Sequence, residues 1–274
     1  MLALAVAFLA SALPNAVVLQ PVANMYSKPT EDADVVSQAI YGTNVAIIEQ
    51  KEGWANIRTP DDYTGWAPMA ALKSADAYAA SGTVAQVQSL FAHLYREQNV
   101  TRHAPMITVP FESKLEVVAK PQDRWLQVRL VDGRNAYVQA GDVSLNTSLL
   151  STADMLALSK KFLGLPYTWG GTSSFGYDCS GFTQMLERRR GVNPPRDAQP
   201  QADWSGVEPV DRKNVEPGDL LYFGSSPKHI THTGMYLGEG KFINATTYLT
   251  PMVRIDDLNE EHWTRLLVAV RRVK

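Results

Sequence analysis

The sequence predicts two small all-β barrels followed by an α+β domain, and three observations carry that reading. The first half repeats itself at an offset of 71 residues. The texture changes after Asn146, and helical spacing then precedes a series of apolar strands.

Aligned on itself, the chain pairs Trp54 with Trp125, Ile57 with Val128, Arg58 with Arg129, Asp61 with Asp132 and Trp66 with Tyr137. Each copy has an apolar strand (Val45 to Ile48; Val117 to Ala119), a polar break and an alternating strand starting at the Trp. A turn at Asp61-Asp62 or Asp132-Gly133 and a short aromatic strand (Gly65 to Ala67; Ala136 to Val138) complete it. Short alternating runs between turn residues predict strands and exclude amphipathic helices. Barrels are expected at 17–74 and 85–147, each just large enough for its own core. Residues 74–90, rich in Ala and Ser, read as a linker or a short helix between them.

Composition narrows the function classes. The 274 residues are 45% hydrophobic and 20% charged, which excludes disordered, collagen-like and disulfide-framework chains. A net charge of −2 offers no overall attraction to nucleic acid or to an anionic membrane. No charged side chain precedes Lys28. The apolar run Leu2 to Ala12, broken by Pro14 and Asn15, is too short for a bilayer span of about 20 residues. With small residues at Ala10, Ser11 and Ala12, segment 1–16 reads as an export signal lacking a basic start, so a periplasmic or secreted protein is expected. Were the segment a plain extension, the chain would be cytoplasmic.

The second half, 150–274, opens with Met155, Leu158 and Phe162 at helical spacing, Thr152 as N-cap and Gly164 as terminator. Strands follow at Leu220 to Phe223, Thr233 to Leu237, Lys241 to Ala245 and Leu266 to Val270, after an irregular stretch marked by Pro194, Pro195 and Pro200.

The single Cys stands in Gly176-Tyr177-Asp178-Cys179-Ser180-Gly181-Phe182. Phe182 and Leu186 at i+3 and i+7 predict a helix, with Asp178 as N-cap and Cys179 in the first turn. There free amides and the helix dipole favour a thiolate. Arg188, Arg189 and Arg190 read as the helix's C-terminal cations. Of five His, His93 and His103 belong to the second barrel and His262 to a charged loop, all surface positions. His229 and His232 lie at the mouth of a strand. Asn244 falls on the next strand, where it can orient the His232 imidazole, giving the Cys, His and amide set of a papain-type triad. A buried, inert Cys is the bland alternative. A zinc site would have only Cys179, His229 and His232, too few ligands.

Leu165-Pro166-Tyr167-Thr168-Trp169-Gly170-Gly171, Asp178-Cys179-Ser180-Gly181 and His232-Thr233-Gly234-Met235-Tyr236-Leu237-Gly238 together resemble the NlpC-type bacterial cell-wall cysteine peptidases. With the two upstream barrels, the layout resembles the YkfC-like γ-D-glutamyl-L-diamino-acid endopeptidases. The resemblance implies an α+β papain-like cysteine peptidase domain preceded by two small all-β SH3-like barrels. It implies Cys179 as nucleophile, His232 as base, Asn244 where many members have a second His, and Tyr167 in the cleft near the nucleophile. Asp178 and Ser180 match residues that bind the substrate's free N-terminus, and Trp169, Arg196 and Asp197 join the substrate-binding set. Ala198 replaces a frequent Ser. In the first barrel, Asp34 matches an acidic position and Tyr63 a tyrosine that closes the cleft. The implied substrates are murein peptides of the form L-Ala-γ-D-Glu-diamino acid, cut without cofactor or metal by a monomer. Lysine and diaminopimelate both remain open as the diamino acid. The alternatives are a peptidoglycan-binding protein with a degenerate catalytic domain, or a related amidase.

Overall fold

Seven strands make the first barrel in the computed structural model, which describes residues 15–75 and 77–274. They are β1 (Asn15–Val18), β2 (Val22–Tyr26), β3 (Val35–Ile40), β4 (Asn44–Lys51), β5 (Trp54–Arg58), β6 (Thr64–Pro68) and β7 (Leu72–Ser74), in the order β3-β2-β6-β5-β4-β1-β7. The export-signal segment lies outside the described residues except for Asn15 and Ala16, which begin β1. No helix among the described residues is long and apolar enough to cross a membrane.

The second barrel contains β8 (Val84–Val87), the hairpin β9 (Phe91–Leu94) and β10 (Ile107–Pro110), then β11 (Lys114–Val117), β12 (Trp125–Arg129), β13 (Asn135–Gln139) and β14 (Val143–Ser144). The repeat survives at the level of register. Trp54 faces Pro68 and Arg58 faces Thr64, while Trp125 faces Gln139 and Arg129 faces Asn135, each pair displaced by the same 71 residues. Two sequence expectations shift. The strand expected at Val117 to Ala119 is β11, ending at Val117, because Leu115 is its core residue. The stretch expected as linker or helix holds no helix among its described residues, and Val84–Val87 there is a strand whose Ala85 and Val87 point into the core. The two barrels share one core at their junction, where Tyr41 and Tyr78 sit. The Tyr41 hydroxyl accepts from the Val131 N–H at 2.7 Å, and the Tyr78 hydroxyl donates to the Arg129 carbonyl at 2.6 Å.

The C-terminal domain runs α1 (Thr152–Ser159), β15 (Thr172–Ser173), β16 (Gly176–Tyr177), α2 (Cys179–Arg189), α3 (Ala198–Asp203), β17 (Val207–Pro209), β18 (Leu220–Ser226), β19 (His229–Gly238), β20 (Lys241–Thr246), β21 (Met252–Asp257), α4 (Glu261–Leu266) and β22 (Leu267–Val273). Its sheet has the order β17-β22-β18-β19-β20-β21. The unbroken apolar run of β18 is explained by burial on both faces. Leu220 and Tyr222 pack towards Phe182, Met185 and Leu186 of α2, while Leu221 and Phe223 pack with Trp263 of α4. The cap of α1 is Ser151, not Thr152, since the Ser151 hydroxyl accepts from the Asp154 N–H. Pro200 lies inside α3, in the first turn, where no intrahelical donor is lost. His262 lies on α4, stacked on Tyr248, and not in a loop.

The basic end of α2 does more than complement a dipole. Arg188 pairs with Glu112 of the second barrel at 2.7 Å, and Arg189 donates to Gln86 at 3.0 Å. Ser174 donates to the Leu90 carbonyl at 2.5 Å and accepts from the Phe111 N–H at 3.0 Å. Phe111, although in the second barrel, packs edge-on against Phe162 in the core of the C-terminal domain.

Candidate active site

Helix α2 begins at Cys179 because Asp178 caps it, its Oδ1 accepting from the Gly181 N–H at 2.7 Å. Gly181 has no room for a side chain, since a Cβ there would lie 2.2 Å from the Gly171 carbonyl oxygen. That contact sets the Gly170-Gly171 loop on the first turn, where Cys179 is 8% exposed. Helix α2 packs on β19 and β20, with Phe182 and Met185 sharing one core with Ile230, Met235 and Ile243. His232 lies on β19, so this packing sets the strand that carries the imidazole against the helix that starts at Cys179.

Asn244 reaches His232 from the neighbouring antiparallel strand, Nε2 to Oδ1 at 2.9 Å. Gly234 makes that reach feasible. A Cβ there would come within 3.0 Å of the Asn244 Cβ and 2.8 Å of the Phe242 ring. The imidazole is stacked on Trp263, centroids 5.3 Å apart, and flanked by Phe223 at 5.6 Å.

Protonation departs from the sequence expectation of a thiolate. Burial, and next the Asp178 carboxylate, push the Cys179 thiol up to about 12, against the lowering effect of the Thr233 main chain, Arg196 and the Ser180 main chain. Burial pushes His232 down to about 4, with Asn244 and Asp256 opposing. The helix-start argument omitted desolvation, which outweighs it here. Burial thus disfavours both the thiolate and the imidazolium in the resting site.

A pH profile tests this. With a folded-state value near 4 against 6.5 for free histidine, the unfolded chain binds more protons between those values. The contribution of His232 to stability is therefore complete above 6.5 and is lost as pH falls through 4. The acid limb of kcat/KM is expected near pH 4, and iodoacetamide should alkylate Cys179 slowly at neutral pH and faster as pH rises. Rapid alkylation at pH 6, with an alkaline limb at about 8–9, would show a preformed ion pair instead.

Next to the nucleophile, Arg196 is buried and holds four oxygen contacts. Its Nη2 meets Asp178 Oδ2 at 2.5 Å, its Nη1 meets Asp178 Oδ1 at 3.1 Å and Ser180 Oγ at 3.0 Å, and its Nε donates to Ser37 of the first barrel at 3.1 Å. Asp178 and Ser180 are thus engaged by Arg196. Asp197, the next residue, caps nothing with its side chain and instead accepts from the Tyr63 hydroxyl at 3.2 Å. Its carboxyl is pushed up by partial burial, with Asp178 and Asp61 adding to the effect. Asp61 also accepts from Gln184 of α2 at 3.0 Å. Asp34 is exposed, and its neighbour Val35 packs against Gly170, so Asp34 and the 71% exposed Trp169 flank one seam between the first barrel and the C-terminal domain. Tyr167 is half-buried, its phenol pushed up by burial and then by Cys179 and Asp178, which keeps it a donor. His229 is exposed.

Three contributors escaped the sequence reading: Trp263 against the imidazole, Ser37 on Arg196, and Asp256 behind Asn244. Each comes from a distant element. Only Asp256 had a local signal, its period-2 spacing with Arg254 on an exposed-to-buried strand.

Residues 164–272 match the NlpC/P60 family, and residues 25–72 match the bacterial dipeptidyl-peptidase SH3 domain. The chain carries an NlpC/P60 domain behind a bacterial SH3 domain. The chain is 29% identical to a gamma-D-glutamyl-L-lysine dipeptidyl-peptidase of Bacillus cereus over 76% of this chain and 66% of that protein. A Bacillus subtilis protein of the same name is 29% identical over 88% of this chain and 82% of its own length. In structure, an NlpC/P60 family protein from Bacillus cereus superposes with a TM-score of 0.83 at 24% identity, over 94% of this chain and 99% of that one. Cys179, His232, Asn244, Tyr167 and Arg196 all belong to the NlpC/P60 segment, whereas Asp34 and Tyr63 come from the SH3 segment. Among the described residues, no three His, Cys, Asp or Glu side chains in this domain or elsewhere group to hold a metal ion.

Proposed function

We propose that this chain is a cysteine peptidase that hydrolyses the bond between the γ-carboxyl of D-glutamate and the diamino acid of murein peptides, taking peptides with a free N-terminal L-alanine. The observation that carries the reading is the pairing of two halves of one site. Cys179 opens the helix packed on the strand of the His232–Asn244 pair, and a wall from the first barrel, Tyr63, joins Asp197 beside it. The names of the Bacillus relatives support the substrate class. An exported location follows from that substrate and from the apolar N-terminal segment.

In this reaction the Cys179 sulfur attacks the γ-carbonyl carbon while its proton passes to His232. The C–O double bond opens to an oxyanion, whose stabilisation falls to amides of the α2 first turn and to the Tyr167 phenol, which feels the charge of Cys179. The imidazolium, its Nε2–H on Asn244, returns the proton to the departing amine of the diamino acid, and the C–N bond breaks to leave a thioester. Water then gives a proton to His232, attacks the thioester and releases the peptide acid and the thiol. The substrate's ammonium is received by Asp197 and Asp34, with Asp178 and Ser180 serving to hold Arg196 in place. A pure wall-binding role does not account for a polar chain that orients one histidine on a buried strand. Mass spectrometry after incubation with defined murein tri- and tetrapeptides is expected to show L-Ala-D-Glu as the released acid. Cleavage at any other bond, or tight binding without cleavage, would overturn the reading.

A further inference from the structure

We infer that Asp256 is a positioning residue for the reaction, fixing the Asn244 amide and, through it, which nitrogen of His232 carries the hydrogen. The inference rests on the proposed role of His232 as base. A primary amide can present either its oxygen or its nitrogen to a partner, so Asn244 alone does not dictate the imidazole's tautomer. Its other side decides. The atom pointing away from His232 lies 2.9 Å from Asp256 Oδ2 and 3.3 Å from the Arg254 carbonyl oxygen. Both are acceptors. An amide oxygen placed there would put three proton-free oxygens together in a buried site, so the nitrogen must occupy it.

The consequence propagates in one direction. With the nitrogen committed to Asp256, the Asn244 oxygen faces His232 Nε2 at 2.9 Å, and Nε2 must carry the hydrogen. Nδ1 is then the unprotonated nitrogen, available to take a proton from the thiol. Asp256 is itself fixed, being 4% exposed and ion-paired with Arg254, whose guanidinium also donates to the Tyr248 carbonyl. Strand register supplies the geometry. Asn244 faces Arg254 across β20 and β21, and Asp256 lies two residues on along the same strand. The carboxylate also favours the imidazolium formed during the reaction, without touching the ring.

Two measurements test this, one of them independent of catalysis. In the unaltered protein, histidine nitrogen NMR is expected to show neutral His232 with hydrogen on Nε2 and a bare Nδ1. The opposite tautomer overturns the inference even if the peptidase reading stands. Asp256→Asn, which removes the charge and lets the amide turn, is expected to bring in the second tautomer and to lower kcat by about 10- to 100-fold with KM nearly unchanged. In an Asn244→Ala background the same substitution should cost much less, because only the carboxylate's through-space pull on the imidazolium is left to lose. An unchanged kcat, or an undiminished loss in the Asn244→Ala background, would make Asp256 merely structural. Loss of all peptidase activity in the unaltered chain would instead fail the functional reading while leaving the tautomer result intact.

Discussion

Cys179→Ala should abolish hydrolysis of the murein tripeptide, and His232→Ala should be equally damaging, each by about a thousandfold or more. Members of a nucleophile–base unit fail together and not additively. The fold should survive. Cys179→Ala removes one small buried sulfur from the start of a helix still capped by Asp178, a change of about 1–2 kcal/mol at most in thermal unfolding. Single-turnover experiments with a poor leaving group should trap an acyl group on Cys179 alone. Asn244→Ala should be milder, since the amide orients the ring and never holds the transferred proton. Turnover by the alanine variant at Cys179, or inactivation by His229→Ala with His232→Ala still active, would require a different nucleophile or base.

Acetylating the amine of L-Ala-γ-D-Glu-diamino-acid should lower kcat/KM by about a hundredfold or more. Asp197 is partly buried, which raises its carboxyl affinity for protons, and Asp178 and Asp61 add to the rise against Arg196 and the Tyr63 bond. A substrate ammonium relieves it, whereas an acetylated amine brings no charge and adds bulk against Tyr63, whose hydroxyl is on Asp197. A hundredfold corresponds to about 2.7 kcal/mol at 1.4 per tenfold. That lies below the about 3–5 kcal/mol for losing one partner of a fully buried pair, as suits a carboxylate at the cleft's edge. Asp34→Asn, Asp197→Asn and Tyr63→Ala should each shrink the ratio between free and acetylated peptides while acylation at Cys179 persists. Equal kcat/KM for the two peptides would show that the barrel does not gate the site.

Local signals were readable in the chain and long-range ones were not. The cap at Asp178 and the helix starting at Cys179 depend on neighbours within three residues, and the barrel repeat depends on turn chemistry and alternation. The placement of Asn244 beside His232 needed only two successive antiparallel strands. The state of the thiol depended on burial, a tertiary effect invisible in a helix-start argument. Arg196 carries no sequence sign that its partners would come from Asp178, Ser180 and, 159 positions away, Ser37. The β8 strand was hidden by its Ala- and Ser-rich surroundings, because its register is set by β11 and β14 and not by its own composition.

The grip on α2 has an evolutionary meaning. The first barrel holds its first two turns through Asp61 on Gln184, and the second holds its last through Glu112 on Arg188, while Phe111 fills space beside Phe162. A shuffled gene that inherited residues 150–274 without their upstream partners would leave Gln184 only the Pro194 carbonyl and Arg188 only Gln184 as acceptors, with a gap beside Phe162. Recombination can therefore not trade these barrels for other wall-recognition parts as freely as it trades domains on flexible tethers.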